Sequence, residues 1–260
     1  MSRISSVFKQ RKHKALIGYI TVGYPDMDST LKAARLLDES GCDIIELGIP
    51  FSDPLADGVT IQNATHMALL NGVTVKKCLE IASQIRSSVN IPLVFMGYLN
   101  PVLHYGPEKF CSACAAAGID GLIIPDLPPG ELPALDEAAG KHGIDMICFL
   151  APNSSEERIK EIAGKTKGFI YVVSVTGVTG VREGFSTGLK EFISRVRKAT
   201  DLPLCIGFGI SGPEQARQAA GMADGIIIGS KIIQLMENGD KSYGKLQAFV
   251  KEIRSEIDRP

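Results

Sequence analysis

Short apolar segments alternate regularly along the chain with longer amphipathic segments. The apolar segments are rich in branched residues and too short for free-standing helices, which is typical of buried strands. Eight strands are predicted, at residues 16–21, 44–47, 93–96, 121–124, 145–150, 169–173, 204–208 and 225–228. The helical period predicts helices at residues 29–40, 73–87, 108–117, 132–141, 155–164, 189–199, 213–220 and 243–257.

This alternation predicts the fold class. Strands buried on both faces and separated by helices pair in parallel through right-handed crossovers. Eight such units in 260 residues match a single (β/α)8 barrel, the TIM barrel, with residues 1–260 as one domain. Residues 3–10 are predicted to add a short helix under the barrel floor. Gly41, Gly118 and Gly143 each precede a predicted strand and are expected to end the helix before it.

The composition excludes several classes of protein. The net charge is −1, 45% of residues are hydrophobic and the mean hydropathy is +0.11, which indicates a soluble globular protein without a basic surface for nucleic acid. No apolar stretch approaches the roughly 18 residues that span a membrane. The basic start resembles a secretory signal, but it leads into Tyr24-Pro25-Asp26 instead of a cleavage site. We therefore expect the cytoplasm, or the plastid stroma if a transit peptide was removed.

Cysteine and histidine usage predicts neither disulfides nor a metal site. Six cysteines in a chain of this size do not suggest a disulfide scaffold, and we expect them to be reduced packing residues. Cys111 and Cys114 form a C-x-x-C pair, but they lie in an Ala-rich predicted helix without a second pair. The four histidines stand apart, without metal-ligand spacing.

Carboxylates gather around the second predicted strand. Glu46 lies near the carboxyl end of that strand, where an unpaired buried charge is costly. The following loop, predicted to be long (residues 48–72), adds Asp53 and Asp57. Since barrel enzymes work at the carboxyl ends of their strands, these acids are candidates for catalysis. The alternative is that Glu46 pairs with a lysine and that the two aspartates are ordinary turn residues.

Three Gly-rich turns follow the sixth, seventh and eighth predicted strands, at residues 176–180, 207–212 and 229–230. Ser211 and Ser230 are predicted to cap the helices that follow, whose N-termini direct unpaired N–H donors toward one point. We interpret these turns as phosphate-binding turns, so a phosphorylated small substrate is expected. The alternative is that glycine only permits tight turns.

The run E-L-G-I-P-F-S-D-P-L-A-D-G at residues 46–58, followed by T-I-Q at 60–62, resembles the alpha subunit of tryptophan synthase. Further matches are Y-L-N-P at 98–101, P-D at 125–126, V-T-G at 178–180 and G-F-G-I-S at 207–211, so the resemblance covers essentially the whole chain. It implies retro-aldol cleavage of indole-3-glycerol phosphate to indole and glyceraldehyde 3-phosphate. It also implies an α2β2 assembly, in which indole passes to a beta subunit that holds pyridoxal phosphate, while this chain carries no cofactor.

The resemblance implies a role for each site residue. Glu46 would shuttle protons at the reacting carbons, and Asp57 would stabilise positive charge at the indole nitrogen. Thr179 would bond to Asp57 when the sixth loop closes. Phosphate would be bound by Gly180, Gly209, Gly229 and Ser230. The indole ring would pack among Tyr19, Met96, Ile123, Phe149 and Phe208, of which Met96 and Ile123 fit plain barrel core equally well. The beta subunit would contact Asp53, Pro54 and Asn100.

Some positions depart from the family pattern. Val59 replaces a frequent proline, Tyr19 replaces a frequent phenylalanine, and residues 174–176 lack the arginine of some members. These departures leave Glu46 and Asp57 intact but put loop conformation in question. Three alternatives stay open: a free-standing indole-3-glycerol phosphate lyase, a weakly active subunit that mainly activates the beta subunit, and another phosphate-binding barrel such as a sugar-phosphate isomerase.

Overall fold

A parallel sheet forms the centre of the molecule in a computed structural model, which describes residues 1–10, 13–173, 187–207, 209–237 and 242–259. Its strands are β1 (Ala15–Thr21), β2 (Ile44–Gly48), β3 (Leu93–Met96), β4 (Gly121–Ile123), β5 (Asp145–Ile147), β6 (Phe149–Leu150), β7 (Ile170–Val173), β8 (Leu204–Gly207) and β9 (Gly225–Ile228). The order across the sheet is β5-β4-β3-β2-β1-β9-β8-β7-β6.

The sheet closes through the predicted fifth strand, which is interrupted at Cys148. The first half, β5, pairs with β4, and the second half, β6, pairs with β7. The carbonyl of Cys148 itself accepts a hydrogen bond from the backbone N–H of Tyr171 at 3.0 Å. Counting β5 and β6 as one interrupted strand gives eight parallel strands in a ring, so the predicted (β/α)8 barrel is confirmed.

Helices surround the ring. They are α1 (Arg3–Gln10), α2 (Met27–Glu39), α3 (Val59–Leu70), α4 (Val75–Arg86), α5 (Leu99–Tyr105), α6 (Pro107–Ala116), α7 (Pro133–Lys141), α8 (Glu156–Lys165), α9 (Thr187–Ala199), α10 (Pro213–Ala220), α11 (Ser230–Glu237) and α12 (Gly244–Ile257). The predicted helix at residues 3–10 is present. Its Ile4 is fully buried and packs against Gly121 and Gly168, at the amino-terminal ends of β4 and β7, so it covers the barrel floor.

Besides α11, which was expected only from the predicted cap at Ser230, two helices were not predicted. The loop expected at residues 48–72 contains α3, which leaves only residues 49–58 between β2 and that helix. Because α3 exposes Val59, Met67 and Leu70 beside its polar residues, it lacks the uniformly polar outer face that identifies a surface helix in a sequence. The other helix, α5, has only seven residues, too few for a clear period.

The capping prediction was wrong at both serines. The residue before α10 is Gly212 rather than Ser211, whose hydroxyl bonds to Gln215 instead. Ser230 is the first residue of α11 and not a residue outside it. By contrast, Gly41, Gly118 and Gly143 end their helices as predicted, with φ of 97°, 79° and 71°.

A repeated arrangement of aspartate and arginine fastens the barrel floor. Asp43, Asp120 and Asp224 each precede a strand and accept a hydrogen bond from a backbone N–H at the start of the strand beside it. The N–H donors belong to Leu16 (2.8 Å), Leu93 (2.9 Å) and Leu204 (2.7 Å). Each carboxylate also pairs with a guanidinium from a helix; the three arginines are Arg254, Arg86 and Arg197. The floor acids are therefore structural.

None of the described helices combines the length and apolar character needed to cross a membrane.

Candidate active site

Glu46 lies in the middle of β2, with its side chain inside the barrel and 1% exposed. Its neighbour across the sheet is Tyr19 of β1. Within the described part of the chain, no lysine pairs with Glu46, and its Oε2 has no hydrogen-bond partner. A lysine-paired strand end, the alternative considered from the sequence, is therefore not observed among these residues.

Burial without a counter-charge changes the titration of Glu46. Removal from water disfavours the ionised form, and the nearby Asp57 carboxylate adds repulsion. Together they raise the pKa of Glu46 from 4.5 to about 8, with burial the larger cause. Near neutral pH this side chain holds a proton and can both donate and recover one.

Asp57 lies near the end of the short segment between β2 and α3, yet it is only 7% exposed. Its Oδ2 accepts a hydrogen bond from the hydroxyl of Tyr98 at 3.0 Å, and its backbone carbonyl accepts one from Gln62 Nε2 at 2.9 Å. Asp53, four residues earlier, is exposed, and its carboxylate accepts a hydrogen bond from the neighbouring Ser52 hydroxyl. Of the two loop acids, Asp57 alone enters the barrel mouth.

Asp57 remains the stronger acid of the pair. Burial raises its pKa from 3.8 to about 6, and the Tyr98 hydrogen bond opposes that rise. Between about pH 6 and pH 8 the mouth therefore favours one ionised carboxylate, Asp57, beside one protonated carboxyl, Glu46. Two acids whose environments separate their pKa values are typical of acid–base sites.

Two tyrosines border Glu46 inside the barrel. The pKa of Tyr19 and of Tyr171 is raised well above its usual value, mainly by burial, and the charges of Glu46 and Asp57 contribute to both. Each ring needs a facing glycine: an added Cβ at Gly48 would lie 2.1 Å from the Tyr19 hydroxyl, and one at Gly207 would lie 2.3 Å from that of Tyr171. These glycines keep the interior open for the phenol rings.

Sequence reasoning missed Tyr98 and Tyr171 as site residues. Tyr98 entered only as part of the Y-L-N-P match, and Tyr171 only as a member of a strand. The available signal was weak: a single tyrosine within an aliphatic strand, or directly after one, is equally typical of core.

The described members of the predicted ring-packing set lie along the inside of the barrel. Across β2, β3 and β4, Gly48 pairs with Met96 and Met96 with Ile123. Phe149 stacks on Tyr171 with ring centroids 4.6 Å apart. Ile123 is fully buried and Met96 is 7% exposed, as expected for either core or pocket wall. Phe208 lies outside the described residues.

The described members of the predicted phosphate turns follow β8 and β9. Gly209 adopts a φ of 79° and is exposed. Gly229 packs against the Tyr19 ring, and Ser230 begins α11 beside it. The N-termini of α10 and α11 thus lie next to these turns. Gly180 and Thr179 lie outside the described residues.

The predicted partner-contact residues are on the surface. Asp53 and Asn100 are exposed, and Pro54 is half-buried. Apart from Met1, every exposed large hydrophobic side chain in the described ranges comes from the segments after β2 and β3. They are Leu55 (92% exposed), Val59 (72%), Met67 (45%), Leu70 (68%) and Leu103 (48%). We call these five residues the apolar patch.

A separate cavity of about 210 Å³ lies between residues 124–130 and α8. Phe149 lines it, together with Cys148, Arg158 and Lys165, but Glu46 and Asp57 do not. It therefore lies apart from the two carboxylates.

No cluster of three or more potential metal ligands occurs among the described residues. All six cysteines are free thiols, as predicted, and Cys111 and Cys114 lie within α6. His66 and His104 are exposed on the surface.

The family model for the tryptophan synthase alpha chain matches residues 6–258. The chain belongs to this family. It is 55% identical over 258 residues to the tryptophan synthase alpha chain of Dehalococcoides mccartyi, covering 99% of this chain and 100% of the relative. It is 45% identical to that of Chloroflexus aggregans over 265 residues, covering 100% and 99%.

Solved structures agree with the family assignment. A chain of tryptophan synthase from M. tuberculosis matches with a TM-score of 0.91 and 37% identity over 100% of both chains. The tryptophan synthase alpha subunit of Legionella pneumophila matches with a TM-score of 0.91 and 34% identity over 99% of both. The family assignment excludes the sugar-phosphate isomerase considered from the sequence.

Proposed function

We propose that this chain is the alpha subunit of a tryptophan synthase and cleaves indole-3-glycerol phosphate to indole and glyceraldehyde 3-phosphate. The observation that carries the proposal is the buried pair at the barrel mouth: Glu46, with a pKa of about 8, beside Asp57, with a pKa of about 6. A retro-aldol cleavage needs one group that exchanges protons and one that remains ionised. This pair supplies both near neutral pH.

Glu46 acts as general acid and then as general base. The protonated carboxyl gives its proton to indole C3, which leaves positive charge on the ring nitrogen. The resulting carboxylate takes the proton from the glycerol hydroxyl next to the ring. As the C=O bond forms, the C–C bond breaks and its electron pair restores the aromatic ring. Glu46 ends protonated as it began, so one side chain serves both steps.

Asp57 acts as the electrostatic partner. Its carboxylate lies against the indole N–H and stabilises the positive charge that develops there, in a site where low dielectric strengthens the interaction. Thr179 hydrogen-bonds to Asp57 in the closed site. The indole ring is held by aromatic and apolar side chains, which are those of Tyr19, Met96, Ile123, Phe149 and Phe208.

The substrate phosphate binds at the turns after β7, β8 and β9, through Gly180, Gly209, Gly229 and Ser230. The start of α11 at Ser230 and the start of α10 just beyond Gly209 support this assignment, because helix N-termini offer unpaired N–H donors to anions. Binding energy from the phosphate then positions the reacting carbons.

A beta subunit covers the apolar patch and the adjoining Asp53, Pro54 and Asn100, giving an α2β2 assembly through which indole passes. The origin of the exposed hydrophobic side chains in the two neighbouring connections after β2 and β3 supports the assignment, because exposed apolar patches mark protein interfaces. Pyridoxal phosphate belongs to the beta subunit, and this chain acts without a cofactor.

Residues 1–260 act as one barrel domain in the cytoplasm. The relatives named above are bacterial proteins, which supports the cytoplasm and gives no support to a plastid location.

The proposal is tested by mixing the purified chain with indole-3-glycerol phosphate, with and without a beta subunit, and following indole and glyceraldehyde 3-phosphate. We expect slow cleavage by the chain alone and a rise of about 5- to 150-fold with the partner. Full activity alone, without a response to the partner, would identify a free-standing lyase. Negligible cleavage under both conditions, with activation of the beta subunit, would identify an activator instead.

A further inference from the structure

The hydroxyl of Tyr98 bonds to two adjacent residues of the segment between β2 and α3. It accepts a hydrogen bond from the backbone N–H of Ala56 at 3.0 Å and donates one to Asp57 Oδ2 at 3.0 Å. Tyr98 directly precedes α5 and is only 5% exposed. A side chain from the β3–α5 connection thereby holds the neighbouring β2–α3 connection.

The ring of Tyr98 also makes a contact with this segment. It packs against Phe51, near the start of the same segment, with centroids 5.3 Å apart and planes 30° apart. Tyr98 therefore contacts residues 51, 56 and 57, at both ends of a segment that has no secondary structure of its own. The backbone of Asp57 is held separately by Gln62, so among the described residues the Tyr98 hydroxyl is the contact that orients the carboxylate.

The direction of this hydrogen bond suits an ionised Asp57. A donor to a carboxylate favours its charged form, and Tyr98 is the group that opposes the effect of burial on the pKa of Asp57. In return, burial and the Asp57 charge raise the pKa of Tyr98, so the phenol keeps its proton across the working range.

We propose that Tyr98 is a positioning residue for the cleavage reaction: its hydroxyl fixes the carboxylate of Asp57 and ties that carboxylate to the backbone at Ala56. The inference rests on the proposed function. Tyr98 acts through Asp57, keeping it ionised and directed into the barrel, where the indole nitrogen binds.

The test uses Tyr98→Phe, which keeps the ring contact with Phe51 and removes only the hydroxyl. Loss of a hydrogen bond to a charged group lowers kcat/KM by roughly 10- to 100-fold at pH 7. Because the pKa of Asp57 rises without its donor, the acid limb of the pH profile moves to higher pH, and part of the activity returns as the pH is raised. Tyr105→Phe, in α5, is the matched control and is expected to keep the wild-type profile.

A second measurement does not depend on turnover. Titration of the Asp57 carboxyl by 13C NMR, assigned by its loss in Asp57→Asn, is expected to give a higher pKa in Tyr98→Phe than in the wild type. An unchanged pKa would overturn the inference, as would an active wild type whose Tyr98→Phe variant keeps the same pH profile. A wild type without lyase activity would instead contradict the proposed function, and the titration would still decide whether Tyr98 sets the ionisation of Asp57.

Discussion

The mouth and the floor of this barrel both bury carboxylates, but they treat them in opposite ways. At the floor, Asp43 accepts a hydrogen bond from the backbone N–H of Leu16 and pairs with the Arg254 guanidinium. At the mouth, Glu46 has burial and the like charge of Asp57, both of which raise its pKa. The floor pairs its carboxylates with guanidinium groups and N–H donors, whereas Glu46 at the mouth has no such pairing among the described residues.

Asp120 shows how hydrogen-bond and ion-pair partners oppose the effect of burial on the pKa of a carboxyl. Burial raises the pKa of Asp120 as well, but the Leu93 N–H and the guanidinium of Arg86 act in the opposite direction. No comparable opposing partner acts on Glu46 among the described residues. The lack of an opposing partner thus separates Glu46 from the paired acids of the floor.

The largest effect is expected when the isolated acid of the mouth is replaced. Glu46→Gln keeps the size of the side chain but can neither give nor take the proton, so lyase turnover should fall by roughly 10²- to 10⁴-fold. Steady-state assays with indole-3-glycerol phosphate measure this, and thermal unfolding checks the fold.

Asp120→Asn provides the matched change at the floor. We expect it to lower stability while each folded molecule keeps wild-type turnover. A comparable loss of turnover in both variants would mean that mouth and floor are not functionally distinct.

The floor should show the largest effect on stability. Asp43→Ala removes a fully buried carboxylate and leaves Arg254 and the Leu16 N–H without it, which should cost about 3–5 kcal/mol of unfolding free energy. Asp258→Ala is the control, because Asp258 pairs with the same arginine at the surface and should contribute about 0–1 kcal/mol. Urea unfolding measures both, and equal losses would contradict the structural role of burial at the floor.

The isolated acid should also make stability fall as pH rises. Glu46 has a pKa of 4.5 when unfolded and about 8 when folded, so below pH 4.5 both states are protonated and the group costs nothing. Between these values the unfolded chain releases the proton that the folded chain retains, and stability falls by on the order of a few kcal/mol. In Glu46→Gln this slope between pH 5 and 8 should flatten. An unchanged slope in urea unfolding would mean that Glu46 has a normal pKa.

The barrel and the two acids of its mouth could be predicted from the sequence because each leaves a local trace. Strand and helix periods mark the eight units, and Glu46 is a charged residue within an otherwise apolar strand. The break at Cys148 was not predictable, because the run from 146 to 150 is continuously apolar and only its pairing with two different neighbours divides it. The floor pairs also escaped prediction: Arg254 and Asp43 are 211 residues apart.

The contacts that tune the mouth are likewise long-range. Tyr98 reaches Asp57 across 41 positions, and nothing in the spacing of these residues indicates a bond. The helix α3 was missed for a different reason. Its exposed Val59, Met67 and Leu70 remove the amphipathic contrast, and the same residues form much of the apolar patch assigned to the partner. The surface proposed for the partner thus obscures the helical pattern in the sequence.

The smallest effect concerns the space that the mouth keeps open. Gly48→Ala would place a methyl group 2.1 Å from the Tyr19 hydroxyl and 2.6 Å from its ring, so the tyrosine must move toward Glu46 or the strand must shift. Overpacking of this kind typically costs about 1–3 kcal/mol, and here it should also lower kcat. Gly58→Ala, ten residues later, meets nothing within 4 Å and is the control. Thermal unfolding and lyase assays compare the two. If the two variants have equal stability and activity, the Tyr19 side chain can move away from Glu46 and Asp57 without loss, which would contradict a tightly packed mouth.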